Sequence, residues 1–187
     1  MVLTSDEKRE VEEKALQLLI ERNETVLPMN PERLAKGFNI DVWRQELDPK
    51  IKGGLLPVPE DLRKTWGKEY FIVINDALNE QRSRYVTAHE LGHYCLRDSE
   101  CCENKAKGEK PMFKQEASGE KPKAEEQADL FARTLLMPYA YIKNAVALYH
   151  EKRRGDFATL AEYIARVFNV TEDKARKRLG ECGFAES

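Results

Sequence analysis

The stretch YVTAHELGHYCL, Tyr85 to Leu96, sets two histidines four residues apart, with a glutamate directly after the first and a glycine directly before the second. On a helix, residues i and i+4 stand on one face, one turn apart. His89 and His93 can therefore aim ring nitrogens at one ion. The helical repeat turns Glu90 about 100° from His89, so its carboxylate falls beside the ion and not on it. From there it can hold a water and take its proton. Leu91 and Gly92 suit close packing on the far side. The pattern is H-E-x-x-H, a metal-site signature short enough to arise by chance. Taken alone, the stretch also reads as a helix that happens to carry two histidines.

A catalytic zinc usually has three protein ligands and an open position, so a third ligand is required. The one other histidine, His150, lies in the polar segment ALYHEKRRG. A helical carboxylate is the better candidate. AEEQADLFA offers Glu125, Glu126 and Asp129. Glu125 and Asp129 share a face at i, i+4. Ala128, Phe131 and Ala132 form the apolar set that would press this helix against the HELGH helix. Glu125 flanks that set and can reach the ion. Asp129, one turn on, can accept a histidine N–H and fix its tautomer. The plain alternative is a solvated helix face, which would be preferred without HELGH upstream.

The segments around these two helices read as a mixed α and β chain. Thr4 with Glu7 forms a capping box ahead of an amphipathic helix whose apolar face is Val11, Ala15, Leu18 and Leu19. Asn30 caps a short helix with Pro31 at its first position, and Gly37 ends it. IDVWRQ is a strand, and KGGLLPV is a turn or bulge feeding another. EYFIVIN, Glu69 to Asn75, is the clearest strand, dense in β-branched and aromatic residues. It is also a candidate edge for an extended substrate to join. The helix that follows is capped by Asp76 or Asn79. Between about residues 98 and 123 periodicity fails and charges of both signs alternate with prolines and glycines, as in a mobile surface loop. A helix resumes near Ala124 with a buried stripe of Ala128, Phe131, Ala132, Leu135 and Leu136. Pro138 closes it or starts the next, YAYIKNAVALYHEK. The tail forms two short helices. Leu160, Ile164, Val167 and Phe168 mark the first; Thr171 caps the second, and Gly180 ends it.

Composition narrows the function. A chain of 187 residues can bury a real core. Its net charge of -2 leaves no basic excess for non-specific nucleic-acid binding. KARKR makes the last helix basic, but direct nucleic-acid binding is not expected. No apolar run reaches membrane-spanning length, and the polar start lacks a signal segment. The expected location is cytoplasmic. Of the four cysteines, Cys95, Cys101, Cys102 and Cys182, none forms a C-x-x-C pair, and free thiols are expected. Cys95 reads as a small buried side chain; Cys101 and Cys102 begin the loop as plain exposed thiols.

HELGHYCL, together with EEQADLFARTLLMP, resembles the ImmA/IrrE family of metallo-endopeptidases. That family's second motif is E-x-x-A-(N/D)-x-F-A-x-x-L-L-M-P. Glu125, Ala128, Asp129, Phe131, Ala132, Leu135, Leu136, Met137 and Pro138 match its fixed positions. FIVIN, RSRYVTAHELGH, PERLAKGFNIDV and LAEYIARVFNVTEDKARKRL are also similar, so the likeness runs from about residue 10 to 183. Many relatives have Leu and His where this chain has Cys95 and Arg97, neither of which is needed as a ligand. The resemblance implies one gluzincin-like Zn²⁺ per chain on His89, His93 and Glu125, with Glu90 as general base. It implies cleavage of a helix-turn-helix transcriptional repressor. Some relatives carry an N-terminal DNA-binding domain, for which residues 1 to about 26 leave no room, so the repressor would be a separate protein.

The expected fold is α+β: a small zincin core with a HELGH helix, a short twisted sheet and a glutamate-bearing helix. Residues 1–150 would form this metallopeptidase domain, and 151–187 a helical hairpin packed on or next to it. Tyr139 and Tyr141 are candidates for stabilising an oxyanion. The rival from another class is a non-catalytic module, held together by metal, that binds a repressor or DNA.

Overall fold

Thr4 starts the chain's first helix by a reciprocal exchange. The Thr4 hydroxyl accepts from the Glu7 N–H at 3.3 Å, and the Glu7 carboxylate accepts from the Thr4 N–H at 2.9 Å. The helix is α1, Ser5–Glu21, and Val11, Ala15, Leu18 and Leu19 are its buried face, as the periodicity predicts. The structure is a computed structural model and describes residues 3–96, 122–151 and 157–184. The loop expected at about 98–123 and the thiols of Cys101 and Cys102 lie outside the described residues, save for the last two residues of that loop.

Asn30 accepts from the Arg33 N–H and caps α2, Pro31–Lys36, with proline at its first position. Three strands follow: β1, Asp41–Gln45; β2, Gly53–Pro57; and β3, Tyr70–Asn75. Between β2 and β3 lies α3, Glu60–Trp66, which the sequence reading missed. It has no buried residue, so it carries no apolar stripe to detect. Its only cues are two acids in the first turn and the left-handed Gly67 that closes it.

The sheet order is β1-β3-β2, with β1 parallel and β2 antiparallel to β3. β3 is therefore the central strand, paired on both sides, and is not an edge that a substrate could join. The edge beside the HELGH helix is β2. The Asn75 N–H donates to the Lys52 carbonyl, and the Val58 N–H to the Glu69 carbonyl. In an antiparallel ladder this parity turns the backbone groups of Gly53, Leu55 and Pro57 away from β3.

Helix α4, Glu80–Cys95, carries HELGH, and Asn79 is its cap, accepting from the Arg82 N–H. Helix α5, Lys123–Leu136, packs against it, with Ala128, Phe131, Ala132, Leu135 and Leu136 all buried. Pro138 starts α6, Tyr139–Glu151; its carbonyl accepts from the Ile142 N–H. The tail forms α7, Leu160–Phe168, and α8, Glu172–Glu181. Thr171 precedes α8 but makes no side-chain capping bond. Gly180 lies inside α8 and does not end it. The stop comes three residues later: Phe184 N–H donates to the Leu179 carbonyl and Gly183 N–H to the Gly180 carbonyl, with Gly183 at φ 77°. This is the Schellman geometry, and it needs the left-handed residue at position 183. One apolar core runs from Leu3 through α1, α4 and α5 to Leu179. Eight helices and three strands among the described residues give the α+β fold expected.

Candidate metal centre

Two polar ladders face each other across the contact of α4 and α5. Tyr85, His89 and His93 follow at intervals of four along α4. Glu125, Asp129 and Arg133 do the same along α5. Side chains at that spacing stack on one face, and the rungs meet in opposite order. Glu125 approaches both histidines: its carboxylate oxygens lie 3.4 Å from His93 Nε2 and 3.6 Å from His89 Nε2. Asp129 Oδ1 lies 3.0 Å from His89 Nδ1 and accepts from the Tyr85 hydroxyl at 3.0 Å. Arg133 stands beyond, its charge acting on both Tyr85 and Asp129.

Gly92 lets the two helices close to this distance. A Cβ there would lie 3.1 Å from Phe131 Cδ1 and 3.2 Å from the backbone of Ala128. Its packing face is thus the α5 contact itself, on the side of the candidate site, which corrects the far-side packing read from the sequence.

The ligand atoms of His89, His93 and Glu125 lie within 4.8 Å of one another, and His89 Nε2 and His93 Nε2 are 3.1 Å apart. Around a tetrahedral zinc, with bonds of about 2.0–2.1 Å, donor atoms stand about 3.3–3.4 Å from each other. The histidine nitrogens at 3.1 Å, with Glu125 Oε1 3.4 Å from His93 Nε2 and Glu125 Oε2 3.6 Å from His89 Nε2, come near that spacing. The donor set, two imidazoles and a carboxylate, is one that suits a catalytic metal. His89 Nδ1 faces Asp129, which leaves Nε2 for the ion.

Glu90 is buried and turned aside from this triangle. Its Oε2 accepts from the Leu55 N–H at 2.9 Å. Leu55 is one of the β2 residues whose backbone faces away from β3, so the carboxylate is anchored to the strand that forms this edge of the sheet among the described residues. β2 can lie this near because residue 53 is glycine. A Cβ there would sit 2.5 Å from the Val73 carbonyl oxygen and 2.8 Å from Val86 Cγ1.

The other candidates stand elsewhere. The Tyr141 hydroxyl donates to the Thr25 carbonyl, and Tyr139 is half exposed with its ring stacked on Phe184. His150 is exposed on α6. Cys95 and Cys182 are half-buried, and burial raises the pKa of Cys182. The basic run on α8 is engaged within the fold. Lys174 lies over the Tyr85 ring, Arg176 pairs with Glu172, Lys177 approaches Glu126, and Arg178 is buried against Glu12 and the Met137 carbonyl. No described helix is long and apolar enough to cross a membrane.

Three participants escaped the sequence reading: Leu55, Tyr85 and Arg133. The Leu55 contribution is a backbone N–H, invisible to residue type. Tyr85 and Arg133 did carry a signal, since each extends an i, i+4 ladder by one rung. Neither was given a role beside the histidines and acids of its helix.

Known proteins resemble this chain in sequence and in fold. An uncharacterized immunity region protein of Bacillus phage phi105 is 32% identical over 124 residues, which is 66% of each chain. A Mycobacterium tuberculosis transcriptional regulator shares the fold with a TM-score of 0.57 and 16% identity. The match covers 92% of this chain and 46% of that one. The chain thus spans just under two thirds of the phage relative and less than half of the regulator. Residues 35–180 match the Peptidase M78 family, described as the IrrE N-terminal-like domain, and the chain belongs to that family.

Proposed function

We propose that this protein is a zinc-dependent endopeptidase that cleaves a helix-turn-helix transcriptional repressor. The observation that carries the reading is the convergence of His89 Nε2, His93 Nε2 and a Glu125 oxygen on one point, with Glu90 held beside them. Bound there by these three residues, a zinc ion supplies Lewis acidity to the scissile carbonyl and lowers the pKa of water.

The chain's own residues supply the rest. Asp129 fixes the His89 tautomer and ring orientation. The Leu55 N–H holds one Glu90 oxygen, which leaves the other to accept a proton from the attacking water. Glu90 then passes that proton to the departing amine, so one carboxylate acts as base and then as acid. An extended peptide lying along the outward edge of β2 would pass beside Glu90, and the Gly53 N–H and the outward carbonyls of that strand offer it hydrogen-bond partners. Membership of a peptidase family supports the reaction type. The immunity-region name of the phage relative supports a target in repressor control.

The test uses the repressor encoded beside this gene. Wild type and Glu90→Gln are loaded with zinc, incubated with that protein, and the products are read by intact-mass spectrometry. Wild type is expected to give two fragments. Glu90→Gln is expected to cut at least about 10²-fold more slowly, the usual contribution of a general base, while holding the same zinc. Cleavage by Glu90→Gln at the wild-type rate would sink the mechanism. Zinc-loaded wild type that binds the repressor without cutting it would favour the non-catalytic module.

A further inference from the structure

We infer that Tyr85 is a positioning residue for the metal ligand His89, acting through Asp129; the inference rests on the metal-site reading above. Asp129 is a carboxylate in the interior, 5% exposed. A buried charge needs donors, and an unpaired one is costly. One oxygen, Oδ1, takes two of them: the Tyr85 hydroxyl at 3.0 Å and His89 Nδ1 at 3.0 Å. The same hydroxyl stands 3.2 Å from the Asp129 backbone carbonyl. The single hydroxyl proton goes to the nearer acceptor, Oδ1, or is shared between the two, and its bond to Oδ1 restrains the carboxylate's rotation about the Cα–Cβ axis. The direction of the Asp129 oxygen in turn fixes the plane of the His89 ring, and so the aim of Nε2.

The phenol is well suited to this task. Burial first, and the neighbouring Asp129 charge second, push its pKa far up, so it stays a hydrogen-bond donor at any working pH. Its ring is held under Lys174 of α8, whose Nζ lies 4.0 Å from the ring centroid. Arg133, with the next rung of the α5 ladder, is clamped by Glu181 of α8 at 2.8 Å. The tail helix therefore grips both far rungs, and Tyr85 carries that grip to the metal ligand. Phenylalanine would fill the same apolar space and lack only the donor.

The experiment compares wild type, Tyr85→Phe, Asp129→Asn and the double variant. Zinc affinity is measured by competition with a chromophoric chelator, and the ligand field by the visible spectrum of the Co²⁺-loaded proteins. Tyr85→Phe is expected to bind zinc roughly 10- to 100-fold more weakly, the range seen when partners behind a metal ligand are removed. Its Co²⁺ bands are expected to shift. The double variant should bind no more weakly than Asp129→Asn, because both changes break one chain. Melting of the metal-free proteins separates this role from a structural one. Tyr85→Phe with unchanged zinc affinity and an unchanged Co²⁺ spectrum, whatever its melting temperature, overturns the inference. So does full additivity in the double variant. A wild type that binds neither metal overturns the metal-site reading and this inference together.

Discussion

Gly53 has no side chain because two neighbours already occupy the place of one. The Val73 carbonyl and the Val86 methyl both stand closer than a Cβ could tolerate. β2 is thereby pinched between β3 and α4, and only in that position does the Leu55 N–H reach Glu90. Replacing Gly53 with Ala should push β2 away from one neighbour or the other. The overpacking is expected to cost about 1–3 kcal/mol, read as a lower midpoint in urea unfolding. Turnover should fall further than stability accounts for, since Glu90 loses its anchor while the proposed zinc ligands keep theirs. The residue scale also shows where sequence reading stops. HELGH announces its histidines and its glutamate by type and spacing. A backbone N–H that orients the glutamate belongs to no residue type, and only the register of β2 reveals it.

At the scale of elements, the clearest signals in the sequence were periodic ones. The buried faces of α1 and α5, the capping box at Thr4 and the strand FIVIN all follow from spacing and local chemistry. The α+β class follows with them. Signals that depend on partners were weaker. The strand at 70–75 looked equally able to be edge or centre, because pairing is decided by where β1 and β2 fall. Helix α3 buries nothing and so left no pattern. Gly180 looked like a helix stop, yet Gly183 supplies the left-handed residue that the C-terminal bonds require. The site itself is a product of two elements. Neither α4 nor α5 makes it alone, and the four-residue ladders on each have meaning only once Gly92 lets them face one another. Glu125 was legible as a candidate ligand because it shares a face with Asp129 beside an apolar stripe. The opposing order of the rungs was not, since a sequence does not state the direction in which helices pack.

Across the whole molecule, the tail is joined to the site by charge as well as by apolar packing. Arg178 of α8 is 2% exposed and donates to Glu12 of α1 at 2.6 Å and to the Met137 carbonyl at 3.2 Å. Arg133 of α5 pairs with Glu181 of α8. Three helices distant in sequence thus meet around two buried guanidinium groups. Replacing Arg178 with Met keeps much of the volume and removes these bonds. Its acidic partners are partly exposed and can be re-solvated, so the expected loss is about 1–3 kcal/mol, seen as a drop in melting temperature. Zinc affinity should change far less than in Tyr85→Phe, because Arg178 has no rung on either ladder.

The account stands on one claim, that His89, His93 and Glu125 form a single metal site with Glu90 beside it and not in it. Metal content per chain tests it most directly. Wild type, Glu125→Ala and Glu90→Gln are purified without chelator, equilibrated with equal zinc, desalted and analysed by inductively coupled plasma mass spectrometry. The account predicts one zinc per chain in wild type and in Glu90→Gln, and a large loss in Glu125→Ala. A wild type with substoichiometric zinc, or a Glu125→Ala variant that keeps a full complement, would contradict it.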